Sequence, residues 1–115
     1  MENEKLQLFE DQRIRTAWDD EKEEWYFSVV DVIAILTEAE SYDSARKYWK
    51  ATKHRMISEG NQLVTNCYQL KLKALDGKRR LTDVATTEEL LRIIQSIPSK
   101  KAESFKLWLA QVGRE

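Results

Sequence analysis

The segment LKLKALDGKRRL, residues 70–81, decides how the chain is read. Leucine and lysine alternate up to Asp76–Gly77, the dipeptide that best tolerates the positive φ angles of a tight type I′ turn, so the stretch reads as a β-hairpin. With Asp76 and Gly77 as the loop, Leu75 faces Lys78, Leu72 faces Leu81, and Lys73 faces Arg80. Like charges directly opposite on a strand pair destabilise it. Lys71, Lys73, Lys78, Arg79 and Arg80 are nonetheless crowded onto this one ribbon. Either the long side chains lean apart over apolar neighbours as a solvated face, or the ribbon holds positive charge for phosphate oxygens.

The chain around the ribbon is nearly neutral, with a formal charge of −1 over 115 residues. Its distribution is far from even. Residues 1–43 carry four Lys/Arg against thirteen Asp/Glu, residues 44–82 ten against two, and residues 83–115 five against five, giving −9, +8 and 0. A local positive field, rather than total charge, steers a phosphate backbone.

Immediately before the ribbon, DSARKYWKATKHRMI has the period of an amphipathic helix. Ala45, Tyr48, Trp49, Thr52 and Met56 fall on the side to be buried; Arg46, Lys47, Lys50, Lys53 and His54 fall on the other. Charge on an outer helix face usually serves solubility, but such faces mix signs to gain i,i+4 pairs. No acidic residue lies between Ser44 and Ser58, and that favours an anionic partner. A basic amphipathic helix also suits a membrane surface, yet Tyr48 and Trp49 are better explained as core, with other helices available to pack on them. Gly60 and Asn61 close the helix.

Toward the N-terminus, Ile14, Thr16 and Trp18 alternate with Arg13, Arg15 and Ala17 as a strand. Trp25 to Ser28 returns as its partner across the charged loop DDEKEE. Ser28 with Asp31 resembles a capping box opening a short helix that ends near residues 38–41. Downstream, Thr86 with Glu89 repeats the capping pattern ahead of Leu90, Leu91, Ile94 and Ile97. After Pro98, Ser99 restarts a helix with Ala102, Phe105, Trp108, Leu109 and Val112 at core spacing before Gly113. The fold expected is α+β, a small antiparallel sheet with about four helices packed on it, in one domain over residues 1–115.

Little points to catalysis. His54 is the lone histidine and Cys67 the lone cysteine, too few for a triad, a thiolate cluster or a disulfide. No glycine-rich phosphate loop or nucleophile elbow occurs, and the acidic run 19–24 lacks the spacing and central glycine of a calcium loop. No enzyme activity, metal or cofactor is expected. With no apolar run long enough to span a bilayer and a charged N-terminus, the expected compartment is the cytoplasm.

Four stretches, WYFSVVDVIAIL, YWKATKHRM, NQLVTNCYQLKLKALDGKRRLTDV and IPSKKAESFKLWLAQVGRE, resemble in this order the BRO-N domains. These are named for the baculovirus repeated open reading frame proteins and shared by phage antirepressors. The nearest likeness is to the bacterial DNA-damage-inducible protein D and prophage antirepressor group. The resemblance implies an α+β nucleic-acid-binding domain, commonly the N-terminal part of a longer protein, with no catalytic residue to transfer.

Together these readings make duplex DNA the expected partner, contacted by Arg46, Lys47, Lys50 and Lys53 of the helix and by Lys71, Lys73, Lys78, Arg79 and Arg80 of the ribbon. The rival is an antirepressor-like module that binds a repressor or other regulatory protein, with the acidic first segment as the surface that would draw a basic regulator. Self-association through the C-terminal helices is compatible with both.

Overall fold

The computed structural model describes residues 3–60 and 68–112. Its strands are β1 (Asn3–Phe9), β2 (Gln12–Asp19), β3 (Glu24–Ser28), β4 (Tyr68–Lys73) and β5 (Arg79–Ala85). Among the described residues the helices are α1 (Val29–Leu36), α2 (Tyr42–Ser58), α3 (Thr87–Gln95) and α4 (Ala102–Val112). The strands form one antiparallel sheet in the order β1-β2-β3-β5-β4, so the α+β expectation holds. No described helix is long and apolar enough to cross a membrane.

The tight two-residue turn exists, but elsewhere. Phe9 pairs with Gln12, and the two residues between them, Glu10 and Asp11, have φ of 50° and 67°. Positive φ at both positions is the type I′ signature, here built without glycine. At the ribbon the loop is one residue longer than expected. Ala74 N–H donates to the Lys78 carbonyl at 2.8 Å and Gly77 N–H to the Ala74 carbonyl at 2.9 Å, with Gly77 at φ +85°. Leu75, Asp76 and Gly77 thus form a three-residue loop, a type I turn followed by a left-handed glycine. The expected register is therefore corrected: Lys73 faces Arg79, Leu72 faces Arg80, and Lys71 faces Leu81.

The period-2 alternation buries both faces of the sheet. On one face Phe9, Ile14, Phe27 and Ala85 join the helices in the main core, where Phe9, Phe105 and Trp108 meet edge-on or tilted with centroids 5.1–5.8 Å apart. On the other, Ala17, Tyr26, Leu72 and Val84 make a smaller core with Leu70 against it. The sheet must curl to enclose that second cluster. It does so until the end of β4 meets β1 and β2: Lys73 N–H donates to Glu4 Oε1 (3.2 Å), and the Lys73 carbonyl accepts from Arg15 Nη1 (3.2 Å).

Local signals place the helices. Ser28 accepts from Asp31 N–H at the start of α1 (3.4 Å), but the Asp31 carboxylate turns away to Arg15, so this capping box is only half made. That of α3 is complete: Thr86 Oγ1 accepts from Glu89 N–H (3.3 Å) and Glu89 Oε1 from Thr86 N–H (2.9 Å). Within α2 the buried residues are Ala45, Trp49, Thr52 and Met56. Tyr48, read as inward, is 36% exposed because it lies a quarter-turn from the Ala45–Trp49–Met56 stripe. Gly60 closes α2 at φ +83°. Asn61, Cys67 and the strand expected to precede Tyr68 lie outside the described residues, as does Gly113. α4 opens at Ala102 rather than Ser99, whose hydroxyl donates to the Leu36 carbonyl and ties down the end of α1 (2.6 Å).

α1 ends with Glu38 in the left-handed region (φ 53°) and Ala39 N–H donating to the Ala34 carbonyl at 3.0 Å. That is the arrangement glycine normally completes. Glu38 is exposed, so Glu38→Gly removes the strain without touching a contact. It is expected to stabilise the fold by about 0.5–1 kcal/mol, the relief of left-handed strain less the added freedom of the unfolded chain. Urea titration checks this, and an unchanged or lower midpoint would contradict it.

Candidate nucleic-acid interface

Two polar clamps tie α2 to the β4–β5 ribbon. The first is Arg15 of β2. Its guanidinium forks onto Asp31 (Nε to Oδ2 and Nη2 to Oδ1, both 2.9 Å), and it also donates to the Lys73 carbonyl (3.2 Å) and the Tyr42 hydroxyl (3.3 Å). The fork is the bidentate geometry that only arginine supplies, and both side chains are largely buried. The second clamp is Asp83 of β5, which accepts from Trp49 Nε1 (2.8 Å), Lys53 Nζ (3.0 Å) and Gln69 Nε2 (2.7 Å). Burial disfavours its charge, but the three donors outweigh that and hold the Asp83 carboxyl below its ordinary value.

The clamps grip two points along α2. Tyr42 is the first residue of the helix, and Trp49 and Lys53 lie two and three turns on. On the ribbon face that meets α2 the cross-strand pairs run Gln69/Asp83, Lys71/Leu81 and Lys73/Arg79. The helix therefore runs along the ribbon, and its near flank continues the stripe Tyr42, Arg46, Trp49, Lys53. Arg46 lies on that flank of α2 with Lys50 the next residue round, and Lys71 and Lys73 lie on the ribbon face that the clamps tie to the helix. Lys47 and His54 point farther outward on α2. Arg80 shares the opposite ribbon face with Leu72.

Not every predicted contact residue is available. Lys53 is held by Asp83, Arg79 pairs with Glu4, and Arg80 pairs with Asp76. Arg46 and Lys47 share Asp43 at 3.5 and 3.2 Å, exposed pairs that hold little. Among the described residues no carboxylate pairs with Lys50, Lys71, Lys73 or Lys78, all exposed. The crowding of like charge at Lys73 and Arg79 is eased on the Arg79 side, where Glu4 pairs with the guanidinium; from Lys73 Glu4 accepts only the backbone N–H. Asp76 is bound back into its own loop; the hydrogen bonds from Arg80 and then from Lys78 N–H lower its pKa.

Arg15, Glu4 and Asp83 are the site residues that the sequence reading missed. The signals available were weak: an aspartate inside the strand LTDVA, where strands rarely carry one, and an arginine amid β-formers in RIRTAW.

A protein-family model, the N-terminal domain of the BRO family, matches residues 13–113. The chain belongs to this family. The BRO-N match takes in both clamps and every predicted contact residue, and omits β1 with its turn. The family is associated with DNA-binding and antirepressor-type roles. Searches of curated proteins and of solved structures returned no match.

Proposed function

We propose that this BRO-N domain binds duplex DNA through phosphate contacts from Arg46 and Lys50 of α2 and from Lys71, Lys73 and Lys78 of the ribbon. The observation that carries the reading is that Arg15 and Asp83 tie the basic helix α2 to the basic ribbon, with four lysines left without a carboxylate partner among the described residues. A helix or a two-stranded ribbon fits a major groove about 12 Å wide, which favours a duplex. In this reading the domain serves a regulator of the prophage-antirepressor or damage-inducible type in the cytoplasm, and phosphate contacts position it without themselves reading sequence.

The test is fluorescence anisotropy of a labelled random-sequence duplex over a range of salt, for wild type and for Lys50→Glu with Lys71→Glu. Neither side chain has a carboxylate partner among the described residues, so circular dichroism is expected to stay unchanged. Binding is expected to weaken at least tenfold, and the slope of log affinity against log salt to flatten by about 2, since each lost phosphate contact removes about 0.9. No binding by wild type at low salt would exclude the proposal.

A second reading, a module that binds a basic regulatory protein, is favoured by the exposed Glu21, Glu23 and Glu24 around the β2–β3 loop, together with Leu6 and Leu8 on β1, 53% and 55% exposed. Charge reversal at the loop would abolish that binding and leave DNA binding intact.

A further inference from the structure

Leu75 is 96% exposed, the most exposed large apolar side chain among the described residues. It is the first residue of the three-residue ribbon loop, a position open to most polar residues, and it packs against nothing. Lys73 and Lys78, without carboxylate partners among the described residues, flank it. Asp76, the one acid of the loop, is turned back, accepting from Lys78 N–H at 3.0 Å and pairing with Arg80. The ribbon thus ends in an apolar tip with cations beside it.

Paired strands lie about 4.8 Å apart before side chains are added, so the ribbon suits the ~12 Å major groove and not the ~6 Å minor groove. Cations at its flanks are placed for the phosphates bordering that groove, while the tip meets base edges. Bases offer an apolar group there at one position, the C5-methyl of thymine.

We infer that Leu75 packs against thymine C5-methyl groups in the major groove, giving the domain a preference for thymine-containing sites on top of its phosphate contacts. The inference rests on the duplex-DNA reading above and adds a specificity-determining residue to it.

The experiment titrates wild type and Leu75→Ser against an alternating dA–dT duplex and against the same duplex with deoxyuridine in place of thymidine. The two duplexes have the same charge and pairing and differ by the methyl. Wild type is expected to bind the thymine duplex roughly fourfold more tightly for each methyl buried. Leu75→Ser is expected to bind both duplexes equally, with the affinity wild type shows for the deoxyuridine duplex. Equal binding of both duplexes by wild type would overturn the inference and leave the DNA reading standing. So would a thymine preference that survives in Leu75→Ser. Binding to neither duplex would overturn the DNA reading and the inference with it.

Discussion

Arg15→Ala is expected to destabilise the domain by about 4 kcal/mol and to lower its melting temperature by roughly 15 °C or more. The arginine holds four elements: Asp31 of α1, Tyr42 of α2, the Lys73 carbonyl of β4 and its own strand β2. Its ring-face contact with Tyr42, 5.8 Å from the centroid, goes with it. Truncation leaves the Asp31 carboxylate, 10% exposed, without its cation. A buried charge stripped of its partner accounts for most of the loss. Arg15→Lys keeps the charge but not the planar fork, and is expected to recover about half. Chemical denaturation followed by circular dichroism measures both; a loss below about 1 kcal/mol for alanine would show that the fork is incidental.

The next largest effect falls on Asp83→Ala, at about 3 kcal/mol. It leaves Trp49 Nε1–H, Lys53 and Gln69 without their acceptor, and each buried donor costs about 1–3 kcal/mol when unsatisfied, less where water reaches it. Gln69, which is exposed, is the least affected of the three, and Lys53 is one-third exposed. The effect depends on pH in a stated direction. Because the folded carboxyl titrates below its ordinary value, its contribution is complete above about pH 4, the unfolded aspartate value, and is lost as the pH falls toward the lower folded value. The stability gap between wild type and Asp83→Ala is therefore expected to be constant from pH 5 to 7 and to narrow below about pH 4. A gap that widened in acid would contradict the assignment.

Local chemistry was legible in the sequence and long-range pairing was not. The capping residues Ser28 and Thr86, the inward stripe of α2 and the core positions of α4 depend on neighbours three or four residues apart, and each stands where its pattern put it, Tyr48 excepted. The Asp-Gly hairpin was legible as a hairpin, yet its register was off by one. Glycine can serve as the second residue of a two-residue loop or the third of a three-residue loop, and nothing adjacent distinguishes these. The type I′ turn went instead to Glu10–Asp11, where Asp11 tolerates the left-handed region and the strands β1 and β2 impose it on Glu10. The basic residues were found by their charge, but which of them are free was hidden, because their acids lie far off in sequence. Asp83 is 30 residues from Lys53, and Glu4, the partner of Arg79, lies at the other end of the chain. For the same reason, the acidic first segment is only partly an outward surface: Glu4 and Asp31 are drawn into the protein's own ties.

The seat of Trp108 has a consequence for synthesis. Its indole N–H donates to the Leu8 carbonyl at 2.8 Å, across 100 residues, and Phe9 packs on Phe105 beside it. β1 is thus completed by α4, the last of the described helices. At 5–20 residues per second, β1 emerges from the ribosome about 5–20 s before α4 exists to cover it. During that interval Leu6, Leu8 and Phe9 stand on an unguarded strand edge, the kind that recruits other chains. The nascent chain is at its most vulnerable before α4 is made, and holding β1 apart until then falls to the charges along it and its turn, Glu4, Glu10 and Asp11.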